Sequence, residues 1–200
     1  MLAPEPFQGS LFDLPPAAPV RTELAHGAWV EFCPGWLDKP DGVFLRLRDN
    51  VAWRAERRQM YDRLLDVPRL VASYVIEDGL PDPALETAKD RLNAIYNDEP
   101  FATAGLCFYR SGQDSVAWHG DTHGRGSKED TVIAIVSVGA PRAFLMRPRG
   151  GGKSLRFEVG HGDLLVMGGS AQRTWEHAVP KTARAAGPRI SVQFRRRNVW

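Results

Sequence analysis

A mainly β chain with flanking α structure, built as a sandwich or jelly roll, is predicted from two observations. From Ala104 onward, short runs rich in β-branched and aromatic residues follow one another, separated by Gly, Pro and charged turns. That is the pattern of many short strands packed in two layers. The second observation is the segment Arg189 to Arg195, which alternates polar and apolar residues without a break. This is the period-two signature of a strand with unlike faces. Ile190, Val192 and Phe194 belong to one face, and Arg189, Ser191, Gln193 and Arg195 to the other.

Taken in order, residues 1–20 are rich in proline and read as an irregular arm. Residues 28–50 mix the apolar pieces Trp29–Phe32 and Val43–Leu45 with Pro-Gly punctuation, which predicts short strands. The stretch 53–69 is basic and aromatic, with Trp53, Arg54, Arg57, Arg58, Tyr61, Arg63 and Arg69. Asp82-Pro83 marks a helix start with proline at the first helical position, and Leu85, Ala88, Leu92 and Ile95 keep helical spacing, so 83–96 is a helix. Strands are expected at Leu106–Tyr109, Thr131–Val138, Ala143–Met146, Leu155–Val159, Asp163–Met167 and Arg189–Arg195. Gly150-Gly151-Gly152 reads as a hairpin turn, Trp29, Trp36 and Trp53 as core, and His161 as a turn residue outside any metal site.

The 200 residues fit one domain with a core of its own. A net charge of +2 neither requires nor excludes a nucleic-acid partner, because distribution matters more than the total. Cys33 and Cys107, without CxxC spacing, predict free thiols in a reducing compartment. The first residues carry neither a basic region nor an apolar core, so no signal peptide is expected. The apolar run near Val132 to Val138 is too short to span a bilayer. A cytoplasmic monomer without membrane contact is the expectation.

His119 and Asp121 are two residues apart, so on an extended segment both side chains leave by the same face. One imidazole and one carboxylate can then grip a metal together, and His177 can complete the set from another strand. Two histidines and one carboxylate leave three positions open and select Fe(II) in oxygenases. His-x-Asp also arises by chance, so the pair gains meaning from the arginines downstream. An inward-facing arginine is costly unless it meets an anion. Arg189 and Arg195 stand about 20 Å apart along the strand, enough to bracket a small dicarboxylate and a metal beside it. The planar guanidinium suits a carboxylate because it binds it bidentately. An edge strand with solvated arginines is the plainer reading of the same residues.

The stretch from Tyr109 to Arg195 resembles the AlkB-type Fe(II)/2-oxoglutarate dioxygenases, which demethylate alkylated nucleobases. The matching pieces are Tyr109-Arg110-x-Gly112, His119-x-Asp121, Ile135–Gly139 with Arg142-x-Phe144, His161–Met167, Trp175-x-His177-x-Val179-Pro180 and Pro188-Arg189-x5-Arg195. Val67-Pro68-Arg69 followed by Tyr74 is similar to that family's nucleotide-recognition lid. The resemblance implies a double-stranded β-helix, with the arm at 1–20, a lid and extension over 21–82, and a core of helix and jelly roll over 83–200. It also implies Fe(II) held by His119, Asp121 and His177, and 2-oxoglutarate held by Tyr109, Arg189, Ser191 and Arg195, with O2 as oxidant. Arg69, Tyr74 and His123 are the implied substrate contacts. The implied partner is DNA, or RNA, with N-alkylated bases. Its products would be succinate, CO2 and an aldehyde, formaldehyde for methyl groups.

Three departures stand out. Cys107-Phe108-Tyr109 replaces the family's Asn-x-Tyr, Ser191 and Gln193 replace the middle pair of Arg-x-Asn-x-Thr-x-Arg, and His123 stands where an acidic residue often reads the base amine. The family's lesion range is therefore not carried over. Glu129 and Asp130 are candidates to replace the missing acid. Two other readings share these residues: a 2-oxoglutarate dioxygenase acting on protein or small molecules, and a non-catalytic β-barrel binding module.

Overall fold

The structure is a computed structural model that describes residues 19–60, 63–184 and 186–199, with the backbone alone at 57–60 and 63–66. The expected arm over 1–20 lies outside the described residues except at its end, as does Tyr61. Twelve strands among the described residues form two sheets. They are β1 (Val20–Glu23), β2 (Ala28–Cys33), β3 (Arg54–Met60), β4 (Arg63–Val75), β5 (Phe101–Tyr109), β6 (Val116–His119), β7 (Ile133–Gly139), β8 (Arg142–Pro148), β9 (Leu155–Val159), β10 (Leu164–Gly169), β11 (Trp175–Val179) and β12 (Arg189–Arg196). The helices are α1 (Pro40–Asn50), α2 (Pro83–Ile95) and the single turn α3 (Ala171–Thr174).

The large sheet has the order β1-β2-β10-β7-β12-β5-β4-β3 and the small one β6-β11-β8-β9. From β5 to β12 the chain passes back and forth between the two, and every pairing is antiparallel. That is a jelly roll, the double-stranded β-helix that the resemblance implies. The segment 21–82 adds strands to both ends of the large sheet and lays α1 on its outer face. β1 and β2 extend the large sheet beyond β10, and the β3–β4 hairpin extends it beyond β5.

Two apolar clusters follow from strand alternation. Leu106, Ala134, Val136, Ile190, Val192 and Phe194 face outward from the large sheet, onto Val43 and Leu47 of α1 and Leu85, Ala88 and Leu92 of α2. Ile133, Ile135, Phe144, Met146, Leu165 and Trp175 fill the space between the sheets. With both faces covered, β7 reads as an apolar run interrupted only by the buried Ser137 rather than as an alternating strand. Trp36 is buried, and Trp29 and Trp53 pack on the outer cluster half-buried.

The strand expected at Val43–Leu45 is part of α1. Pro40 sits in the first turn, where its fixed φ suits a helix, and Val43 and Leu47, one turn apart, are its buried residues. Asp82 caps α2 by accepting from the Ala84 amide at 2.9 Å, and its carboxylate also takes Arg46 of α1 at 2.6 and 3.0 Å. Of the apolar stripe on α2, Leu85, Ala88 and Leu92 are buried and Ile95 is exposed. Gly150, Gly151 and Gly152 form the β8–β9 turn, all at positive φ. His161 stands in the turn before β10 and accepts the Gly139 amide at Nδ1, 2.8 Å away.

Candidate metal centre

β6 and β11 lie side by side with His119 paired directly to His177. The two imidazoles meet at 4.2 Å between ring centres, and His177 stacks on Phe144. Asp121 follows β6 by two residues and turns back to them. One ligand atom from each of His119, Asp121 and His177 lies within 4.8 Å of the others. Gly120, between two of these residues, passes so close to the Gln172 carbonyl that a Cβ would collide with it. The donor set fits a divalent cation of the kind that takes imidazole and carboxylate ligands, with one side left open.

Each donor is oriented by a partner. His119 Nδ1 is 2.9 Å from the Ala117 carbonyl, which turns Nε2 toward the Asp121 carboxylate, 3.8 Å from Oδ1. Arg195 Nε donates to Asp121 Oδ2 at 2.7 Å, and the Asp121 amide donates to Gln172 Oε1 at 2.9 Å. Burial pushes the Asp121 carboxyl up, but Arg195 and the two imidazoles outweigh it and hold it at about 2. Burial lowers His177 to about 3, assisted by His119. At neutral pH the centre therefore presents an ionised carboxylate and a neutral imidazole, the forms a metal requires.

A cavity opens from this centre between the sheets. Its lining includes Arg69, Cys107, Tyr109, Arg189, Ser191, Gln193 and Arg195. These β12 residues are the polar face of the alternation, pointing into the jelly roll while the apolar face packs on the helices. Arg189 is 1% exposed. Its Nε donates to Ser137 Oγ at 2.8 Å, its guanidinium lies 5.3 Å from the Tyr109 ring centre, and no carboxylate among the described residues pairs with it. Burial accordingly lowers its pKa. The Tyr109 hydroxyl meets Ser191 and Arg189, and burial pushes its pKa up to about 12. A buried cation without an internal counter-ion is a seat for an anion.

The implied substrate contacts divide. Arg69 lines the cavity, with Nε donating to Cys107 Sγ and Nη1 to the Ser115 carbonyl, each at 3.4 Å. Tyr74 does not reach it. Five residues along β4 is an odd step, so Tyr74 leaves by the opposite face, opposite Ala104, and packs on the outer cluster. His123 is exposed in the loop after Asp121 and is not part of the cavity wall. Glu129 and Asp130 are held by Arg125 and Arg173. Sequence reasoning missed Ser137 and Gln172. Ser137 stands opposite Ser191 in the β7–β12 register, whereas Gln172 arrives from a single helical turn that no periodicity marks.

The model of the 2OG-Fe(II) oxygenase superfamily matches residues 44–197. The bovine (Bos taurus) protein "Alpha-ketoglutarate-dependent dioxygenase alkB homolog 3" is 32% identical over 186 residues, covering 82% of this chain and 64% of that protein. Mouse (Mus musculus) "DNA oxidative demethylase ALKBH2" is 30% identical over 180 residues, covering 78% and 74%. The chain thus spans just under two thirds of the alkB homolog 3 relatives it matches. Among solved structures, OsALKBH1 superimposes with a TM-score of 0.58 at 15% identity, over 88% of this chain and 100% of that one. A Trichoplax adhaerens prolyl hydroxylase gives a TM-score of 0.60 at 11% identity, over 84% and 83%. Both likenesses concern the fold.

Proposed function

This chain belongs to the AlkB-type group of the 2OG-Fe(II) oxygenase superfamily, and from that premise we propose that it is an oxidative nucleic-acid dealkylase acting on N-alkylated bases, DNA first among them. The observation that carries the reading is Arg189, a buried guanidinium without an internal carboxylate, set in one cavity with a His-Asp-His cluster. The names of its relatives support the substrate class.

When bound, Fe(II) with 2-oxoglutarate and O2 supplies oxidation of an N-alkyl carbon, with succinate and CO2 as co-products and formaldehyde released from a methyl group. The residues of this chain supply binding, orientation and exclusion of water. His119, Asp121 and His177 would hold the iron. The Ala117 carbonyl and Arg195 fix two of these ligands from behind, as such partners commonly do. Arg189 would take the distal carboxylate of 2-oxoglutarate bidentately, with Tyr109 and Ser191 donating beside it. Phe144, Ile135 and Val179 line the same cavity and keep it partly apolar. Arg69 would meet the extruded nucleotide, since a target base must leave its stack to reach a centre this deep.

The test is formaldehyde release, with Fe(II) and 2-oxoglutarate, from methylated single-stranded and double-stranded DNA, methylated RNA and a methylated peptide. Release from nucleic acid that weakens steeply with salt is the expected result. Release from the peptide alone would assign the centre to protein substrates.

A further inference from the structure

The outer face of the small sheet carries a second concave surface, separated from the metal centre by a single strand. β6 is an edge strand, paired only to β11. His119 points into the cavity, so its neighbour Trp118 points outward. Trp118, Leu145, Ala178, Pro180 and Lys181 wall an open groove of about 220 Å³. Val116 lines both the groove and the cavity, so the two adjoin across β6. Ser115, at the groove's edge, is tied to the lid strand β4. Its amide donates to the Pro68 carbonyl at 2.8 Å, and its own carbonyl accepts Arg69 Nη1 at 3.4 Å.

The groove has a definite chemistry. The Arg147 guanidinium lies 4.0 Å from the Trp118 ring centre and is held there by Glu176 at 2.5 Å. One face of the indole is covered and the ring is fixed, while its remaining surface borders the groove. A cation stands toward each end of β6. Lys181 lines the groove beside Ser115 and Val116, and at the other end a Cβ on Gly120 would stand 2.9 Å from Arg149 Nη2. Lys181 and Arg149 are exposed, and neither pairs with a carboxylate among the described residues. The neighbouring acids Glu176 and Asp130 are already paired with Arg147 and Arg173. The strand from Val116 to Gly120 is about 13 Å long, so cation, aromatic ring and cation follow one another along one edge.

We propose that this groove holds the single-stranded nucleic acid that flanks the target nucleotide, with one base against Trp118 and phosphates on Lys181 and Arg149. The proposal rests on the reading of nucleic acid as the substrate class. Unpaired cations meet the phosphates, and a fixed aromatic ring stacks any base without reading its edge. The strand passes from Arg69, at the cavity mouth, over Ser115 and onto the outer face of β6.

The experiment is fluorescence-anisotropy binding of a labelled, methylated DNA single strand of about twelve nucleotides to the full chain loaded with Mn(II) and 2-oxoglutarate. Wild type is compared with Trp118→Ala, Trp118→Phe and Lys181→Ala. Trp118→Ala is expected to bind the strand at least about fivefold more weakly, the lower end of base–aromatic stacking, and Trp118→Phe to recover most of the loss. Lys181→Ala is expected to reduce the slope of log affinity against log salt by about one. Mn(II) affinity is expected to stay within about twofold of wild type in all three, since neither side chain holds a metal ligand. Lys181→Ala, altered only at an exposed side chain, carries the test if Trp118→Ala folds poorly. Strand binding by wild type with Trp118→Ala and Lys181→Ala indistinguishable from it would overturn this proposal alone. So would a Trp118→Ala variant that loses Mn(II) together with the strand, since the ring would then act through His119. A concentration-dependent dimer abolished by Trp118→Ala, with strand binding unchanged, would make the groove an interface between copies instead. A wild-type chain that binds no strand would overturn the reading of the substrate class, and this proposal with it.

Discussion

Arg195 and Asp121 are 74 residues apart in the chain and joined by a 2.7 Å hydrogen bond, Nε to Oδ2. The bond commits one carboxylate oxygen to the arginine and leaves the other facing the imidazoles. Removing the guanidinium frees that oxygen to rotate and leaves a buried carboxylate without its main counter-charge. Arg195→Met is expected to weaken Mn(II) binding by 10- to 100-fold, the usual cost of losing a partner behind a ligand. Metal titration followed by calorimetry checks it, and unchanged affinity would remove Arg195 from the centre.

Arg189→Met carries a two-part expectation. A buried, unpaired cation is expensive, and an apolar side chain of similar length is often neutral or stabilising in its place. The variant is expected to melt at the same temperature as wild type or higher, while its 2-oxoglutarate affinity falls by more than 100-fold. Arg189→Lys keeps the charge but loses the bidentate fork, and is expected to raise the apparent KM for 2-oxoglutarate with a smaller effect on iron affinity. Thermal melting and steady-state kinetics separate the two. A destabilised Arg189→Met that still binds 2-oxoglutarate would make Arg189 structural.

The buried imidazole sets a pH dependence of stability. His177 titrates near its ordinary value of 6.5 when unfolded and at about 3 when folded. Between those limits the unfolded chain binds the extra proton, so stability rises with pH and falls on acidification. The slope approaches one proton, ~1.4 kcal/mol per pH unit, well below 6.5. Asp121, held at about 2, loses stability in the same direction only in much stronger acid. Urea unfolding of the metal-free chain between pH 7 and 5 is expected to steepen toward this slope in wild type and to lose most of the pH dependence in His177→Gln. Equal slopes in the two proteins would contradict a buried neutral His177.

Arg69 and Tyr74 make a paired comparison. Arg69→Ala is expected to lower formaldehyde release from DNA while leaving 2-oxoglutarate affinity close to wild type. Tyr74→Ala, on the helical side of the sheet, is expected to cost about 1–2 kcal/mol of stability and to leave the rate on DNA unchanged at a temperature where it is folded. A rate loss in Tyr74→Ala at full folding would place that ring in substrate recognition.

The sequence carried the site better than the elements around it, for physical reasons. On β12 the two faces meet different surroundings, helices on one side and a polar cavity on the other, so alternation survives and names Arg189, Ser191, Gln193 and Arg195 together. His119-x-Asp121 was readable because two residues is one strand period. β6 and β11, Val-Ala-Trp-His and Trp-Glu-His-Ala-Val, carry no run of β-branched residues to set their bounds, and their pairing shifts register after His177. α1 was mistaken for a strand because Val43-Phe44-Leu45 is β-rich, whereas its burial follows Val43 and Leu47. Tyr74 failed on parity, which depends on which residue of the lid strand faces inward and has no local signal. Gln172 and Ser137 act through tertiary proximity alone.

The most direct measurement is the stoichiometry of 2-oxoglutarate turnover with Fe(II) and methylated single-stranded DNA, in wild type and in His119→Ala, Asp121→Ala and His177→Ala. Wild type is expected to release succinate and formaldehyde in equal amounts. Each variant is expected to release neither while keeping the wild-type circular dichroism spectrum. Near wild-type turnover in any one of the three, or a folded, iron-loaded wild type that leaves 2-oxoglutarate and methylated DNA untouched, would contradict the account.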